Sequence, residues 1–252
     1  MRIAPTFCNR VAPPSGRRWI SGIASLDATL AGGLAHGCVH EVYAGEVGDA
    51  AASAGFAMAL TAGMAGRDQA AMWLRSRRSQ GAAGVIQASG WAELGGVPGL
   101  GLLAVLPDTL ALLRAAVDAL RSPALGAVIV EGWGAMRELD LTASRRLALA
   151  AEKSGVPLFL LRIDAEPVPS AAQTRWQVTA APSLALPGNA PGMPTFDVTL
   201  LRQRSGPCGL SWRLEWDRDR HLFRDAALSG AVVSPPASRT AEDTGGKERR
   251  AA

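Results

Sequence analysis

Apolar runs bounded by turn residues alternate with small-residue or amphipathic stretches over residues 37 to 163. Val39 to Tyr43 predicts a short strand, Ala44 to Asp49 a glycine-containing turn, and Ala50 to Ala65 a small-residue helix able to pack closely on a sheet. Ala70 to Leu74 and Leu102 to Leu106 predict further strands, and a strongly periodic helix capped by Asp108 or Thr109 runs to Arg121. Ala127 to Val130 reads as a buried strand ending at Glu131. Leu141 to Ser154 is a helix with Arg145, Arg146 and Lys153 on its polar side, closed by Gly155, and Pro157 to Ile163 is the next strand. A lead-in helix, Ser25 to Ala31, is expected to start at a Ser21 or Ser25 cap and to stop at Gly32-Gly33. This alternation predicts an α/β fold in which a mostly parallel central sheet is flanked by helices.

Beyond residue 163 the period changes. Ala171 to Ala180 is one more strand and leads into a Pro/Gly loop, Pro182 to Pro194. Phe196, Val198 and Leu200 then alternate with Asp197 and Thr199, and Leu210, Trp212, Leu214 and Trp216 alternate with Ser211, Arg213 and Glu215. With Gly206-Pro207-Cys208-Gly209 between the arms, this predicts a C-terminal antiparallel β-hairpin. Trp212 and Trp216 share a face, with Arg202, Arg204 and Arg213 nearby. Aromatic and basic residues interleaved in this way suit single-stranded nucleic acid, whereas tryptophans aligned with leucines suit a core.

The 252 residues suffice for one domain with a large core, and 48% hydrophobic against 19% charged residues is ordinary for a globular chain. The expected division is a flexible basic arm over 1–15, one domain over 16–225 and a disordered tail over 226–252. A net charge of +4, carried almost wholly by arginine, favours anionic partners only mildly. Cys8, Cys38 and Cys208 are widely spaced and odd in number, which implies no disulfide framework and, without a secretory signal, a cytoplasmic location. The longest apolar run, Ala50 to Ala65, lacks the bulk of a membrane span. His36, Cys38 and His40 alternate and would share a strand face, as metal ligands can. No fourth ligand is apparent, so packing is expected and no metal is assigned.

The turn after Val39 to Tyr43 lies where a phosphate-binding loop belongs, between a strand and a helix. In G-x-x-x-x-G-K-[ST], backbone N–H groups cradle the phosphates, the lysine reaches the outer ones and the hydroxyl binds magnesium. Here Gly45 opens the loop and Glu46, Val47, Gly48, Asp49, Ala50 and Ala51 follow, so two carboxylates replace the cation. Lys153 and Lys247 are the only lysines, and neither lies in such a loop.

Ser25-Leu26-Asp27, then Gly32-Gly33-Leu34, then Val39-His40-Glu41-Val42-Tyr43 follow the order seen ahead of the phosphate loop in RecA-like ATPases. Leu106-Pro107-Asp108-Thr109, Asp118-Ala119-Leu120 and the strand Ala127 to Glu131 resemble that family's approach to its Walker B strand. Among relatives with a decayed loop, the chain most resembles the ImuA family of the SulA/RecA-like superfamily, over roughly Ser15 to Arg224. The resemblance implies a RecA-like P-loop NTPase fold with a vestigial nucleotide site at Gly45, Glu46, Gly48 and Glu131. Glu131 is placed either to hold magnesium through water or to be a solvated strand end. In the family an acidic cluster with the water-orienting glutamate follows the second strand; here Arg75, Arg77 and Arg78 stand there, and arginine cannot act as a general base at neutral pH. These three arginines meet either phosphate, an acidic partner patch or solvent.

The function implied by the resemblance is a non-catalytic accessory role in SOS-induced, error-prone translesion DNA synthesis, through protein contacts and without ATP or magnesium as cofactor. Implied partners are the RecA recombinase, an inactive Y-family-like polymerase subunit of the ImuB type and an error-prone replicative-type polymerase. Contact with DNA would be indirect. Two other readings stand beside it: a damage-induced inhibitor of cell division, and a divergent ATP-dependent DNA-repair ATPase whose missing cation comes from a partner's arginine.

Overall fold

The computed structural model describes residues 6–10 and 16–226. In chain order the elements are β1 (Thr6–Arg10), β2 (Arg18–Trp19), α1 (Ala24–Thr29), β3 (Leu34–Ala35), β4 (Val39–Ala44), α2 (Ala50–Met64), β5 (Ala70–Ser76), α3 (Arg77–Ala83) and α4 (Ala88–Glu93). Then come β6 (Gly101–Leu106), α5 (Thr109–Leu120), β7 (Leu125–Trp133), α6 (Leu141–Ser154), β8 (Leu158–Ile163), β9 (Thr174–Ala180), β10 (Thr195–Gln203), β11 (Ser205–Cys208), β12 (Leu210–Asp217) and β13 (Leu222–Asp225). Nine strands form one sheet in the order β13-β12-β10-β9-β4-β8-β7-β5-β6. From β9 to β6 every pairing is parallel, and β10, β12 and β13 extend the sheet antiparallel.

The two faces are covered differently. On one, α2 brings Phe56, Ala57, Ala59 and Leu60 onto Val42, Ile129, Phe159, Leu161, Trp176 and Val178. Its small residues let it lie close: a side chain built on Gly63 would come within 2.5 Å of the Trp19 ring. Phe56 is the hub of an aromatic cluster, stacked on Phe223 at 5.6 Å and tilted or edge-on to Trp176 and Phe196. On the other face, Leu112, Ala116 and Leu120 of α5 and Leu147 and Ala151 of α6 cover Leu74, Val128, Val130, Leu158 and Leu160.

Local signals place the helices. The Asp108 and Asp140 carboxylates accept from the Ala111 and Ala143 N–H groups at 2.8 and 2.7 Å, capping α5 and α6. Gly155, at φ 78, closes α6 in the left-handed conformation that glycine adopts most cheaply. β6, at the end of the sheet, leaves Leu102, Leu103 and Val105 exposed.

Several expectations are corrected. Residues 6–10 do not form a loose arm but β1, which pairs antiparallel with β11. Gly206 to Cys208 is therefore strand rather than hairpin turn, although β10 and β12 do pair as the hairpin predicts. The lead-in helix begins after Ile23 without a serine cap; Ser21 Oγ instead accepts from the Ile23 N–H at 3.1 Å. Cys38 is a free thiol, whereas Cys208 is disulfide-bonded, contrary to the cysteine reading. The rest of the predicted arm, and the predicted tail from 227 onward, lie outside the described residues. Among the described residues no helix is long and apolar enough to cross a membrane.

Truncating the aromatic hub, Phe56→Ala, is expected to cost about 3–5 kcal/mol through lost burial and the cavity left behind. Urea unfolding of the variant beside the parent chain measures it.

Candidate functional site

The loop leaving β4 is short and folded in on itself. Val47–Asp49 makes a single 3-10 turn that leads directly into α2. Glu46 and Asp49 form a reciprocal capping box: the Glu46 side chain accepts from the Asp49 N–H, and Asp49 Oδ2 accepts from the Glu46 N–H at 3.2 Å. The other oxygen, Oδ1, accepts from the Ala180 N–H at 2.8 Å, tying the loop to the end of β9. Gly45 donates to Val178 O at 2.9 Å, and any side chain on it would overlap Thr179. The N–H groups of Gly45, Glu46 and Asp49 thus all have acceptors inside the protein. Gly45, Glu46 and Gly48 are exposed and Asp49 is buried.

Glu131 lies level with Val42, two strands away, since Val42 and Leu161 pair and Leu161 and Glu131 pair. It is not a solvated strand end, being 2% exposed. Its Oε1 accepts from Arg75 Nη2 at 2.8 Å and its Oε2 from Trp73 Nε1 at 2.9 Å. Arg75 is 1% exposed and also donates to the Gly84 and Ser79 carbonyls at 2.8 and 3.1 Å. Burial pushes the Glu131 carboxyl above its ordinary range, opposed by the Arg75 charge and by the hydrogen bonds from Trp73 and Arg75.

The six candidate contact arginines do not form one patch. Arg75 is withdrawn from any outside contact by its pairing with Glu131, which corrects its place among the surface candidates. Arg77 and Arg78 are exposed on the first turn of α3, and the Arg78 guanidinium lies over Gly134. Arg202 donates to Ser170 O at 3.3 Å. Arg204 lies at the opposite, amino-terminal end of the parallel strands, in the wall of a cavity of about 780 Å³ shared with Arg17, His36, Cys38 and Glu152. Arg213 is fully engaged by Asp197, its cross-strand neighbour, in two hydrogen bonds of 2.7 Å. Trp216 is buried, donating to Leu94 O, and half-buried Trp212 donates to Ser25 Oγ, so the pair does not make an open stacking platform.

His36 and Cys38 face the amino-terminal cavity, but His40 is fully buried against Phe159. Its Nε2 donates to Ala35 O at 2.9 Å, leaving Nδ1 to accept from the Thr174 hydroxyl at 2.7 Å. Both nitrogens are thus used. Among the described residues no group of three or more His, Cys, Asp or Glu side chains is gathered as metal ligands would be.

Comparison by sequence with protein-family models and with characterised proteins returns no match. Comparison of folds does. The RadB recombinase superposes with a TM-score of 0.53 at 16% identity, covering 83% of this chain and all of the recombinase chain. The fold is RecA-like. At that identity the likeness speaks for architecture alone.

Sequence reasoning picked out Glu131 and Arg75 separately and missed that they are partners. Their register, Arg75 opposite Glu131 on neighbouring parallel strands, needed the strand order. Trp73, two residues earlier on the same face, was missed for the same reason.

Arg75→Met is expected to cost about 3–5 kcal/mol by leaving a buried carboxylate without its counter-charge, and adding Glu131→Leu to recover most of it. Denaturant titrations of the single and double variants provide the check. A second expectation concerns pH. Burial lowers His40, and burial with the nearby Arg17 lowers His36, each to about 4. Between about 6.5 and 4 the unfolded chain binds protons that the folded chain refuses, so stability falls as pH falls through that window. His40→Asn should remove a share of this loss, on the order of 1–3 kcal/mol, in unfolding curves at stepped pH.

Proposed function

We propose that this chain is a non-catalytic RecA-like accessory protein of SOS-induced, error-prone translesion DNA synthesis, working by protein–protein contact. The observation that carries the reading is the internal use of Glu131. A carboxylate that would hold a magnesium ion through water has to face the nucleotide, and this one is occupied by Arg75 and Trp73 beneath the surface. The β4–α2 loop adds a second argument. Its backbone donors at Gly45, Glu46 and Asp49 are satisfied within the protein, and its carboxylates would repel a triphosphate.

The partners proposed from the ImuA resemblance are the RecA recombinase, an inactive Y-family-like polymerase subunit and an error-prone replicative-type polymerase. The exposed Arg77 and Arg78 are the arginines best placed for such contacts, because Arg75 and Arg213 are already paired.

Purified protein incubated with ATP and magnesium is expected to release no phosphate above that of a Glu131→Gln control. Isolation of the tagged chain from DNA-damaged cells should recover the recombinase or the polymerase subunits. Steady phosphate release that Glu131→Gln abolishes, or undiminished damage-induced mutagenesis after deletion of the gene, would overturn the proposal.

A further inference from the structure

Two arginines flank the Tyr43 ring on the α6 side of the sheet, with guanidinium carbons 5.8 Å (Arg162) and 5.5 Å (Arg175) from its centroid. Their circumstances differ. Arg175 is answered by Glu41 at 2.6 Å and also bonds the Val168 carbonyl and the Ser170 hydroxyl. Arg162, on β8, is 3% exposed, and its Nε and Nη1 are buried without an acceptor. An arginine stays charged at any pH a protein survives, so it cannot relieve its position by losing a proton. A fixed buried cation calls for an acceptor, and among the described residues none bonds these two nitrogens.

The route for one is present. Arg162 lines a cavity of about 670 Å³ between the β7–α6 connection, with Ala135, Met136 and Leu139, and the β8–β9 connection, with Ala165, Val168 and Pro169. The amino terminus of the 14-residue α6 borders the same space, but its own Asp140 cap already answers it, so Arg162 is the buried group left to attract an anion there. The wall carrying Val168 is held by Arg175. The cavity lies on the sheet face opposite Glu131, whose strand neighbour Gly132 pairs with Arg162.

Its lining restricts the anion. Most of the wall is apolar, which suits an anionic group carried on apolar side chains; Arg137 adds a second cation, and Asp140, Asp164 and Glu166 more than offset it, which disfavours a polyanion over a single charge. We propose that this cavity is a carboxylate-binding site for a partner protein, in which Arg162 receives a carboxylate flanked by apolar residues on the partner's chain. The carboxylate is either a chain terminus or an Asp or Glu side chain. The assignment stands on this cavity and holds whether or not the β4–α2 loop retains nucleotide.

The test follows the arginine Nε–H signals of the full chain by NMR, with the Arg162 signal assigned by its absence in Arg162→Lys. The probes are acetyl-Leu-Val-Leu with a free carboxylate, the same tripeptide as its amide, acetyl-Leu-Glu-Leu-amide, and a 12-nucleotide oligothymidylate. The expected result is a saturable shift of the Arg162 signal with the free-carboxylate tripeptide, with acetyl-Leu-Glu-Leu-amide or with both, which tells a terminal from a side-chain carboxylate. The plain amide should bind at least tenfold more weakly. Val168→Glu, at an exposed wall position, supplies a competing carboxylate without touching the core and should weaken peptide binding at least tenfold. Equal shifts with acid and amide, no shift with any peptide, a shift with the oligonucleotide alone, or unchanged affinity in Val168→Glu would each overturn the assignment.

Discussion

β4, β7 and β8 run through the middle of the sheet with helices or connections over both faces, so any ionisable side chain set into them has to be answered by another group of the protein. Most are. Glu41 is met by Arg175, Glu131 by Arg75 and Trp73, and His40 by Thr174 and Ala35. Removing one member of such a pair is far more damaging than replacing both, because the survivor keeps its charge and loses its partner. This constraint fixes the registers of the central strands as firmly as the leucines between them do.

The same requirement governs the β4–α2 loop and the end of β7. In a phosphate-binding loop the backbone donors are held open for the ligand and remain unsatisfied until it arrives. In the β4–α2 loop Asp49 answers donors from within: one oxygen closes the capping box on Glu46 and the other secures Ala180 on β9. Glu131 likewise is turned to an internal cation. Both carboxylates thus spend their acceptor capacity inside the protein, where they stabilise the scaffold.

The parallel core was legible in the sequence because its signals are local. Asp108 and Gly155 mark helix ends by their own chemistry, and Leu158 to Ile163 or Ala127 to Val130 are apolar enough to need no partner to be recognised. The hairpin of β10 and β12 announced itself by alternation. What the sequence concealed was long-range pairing. Gly206-Pro207-Cys208 looks like a turn until β1 is brought beside it. Arg75 looks like part of an exposed RxRR run until β7 is placed next to β5. Arg162, inside the apolar β8, drew no reading from the sequence, and only the burial of its Nε and Nη1 without an acceptor gives it meaning.

The two ends of the sheet are finished in contrasting ways. At one, β13 is short and carries Arg224, which pairs with Glu215 of β12, so the last strand is small and charged. At the other, β6 offers six residues whose outer backbone groups meet no further strand among the described residues, beside Leu102, Leu103 and Val105. An edge of that kind is an adhesive margin, and natural sheets usually blunt it with lysine, proline or a bulge. The apolar side chains beside that margin make β6 the flank of the sheet where polar substitution would disturb the core least.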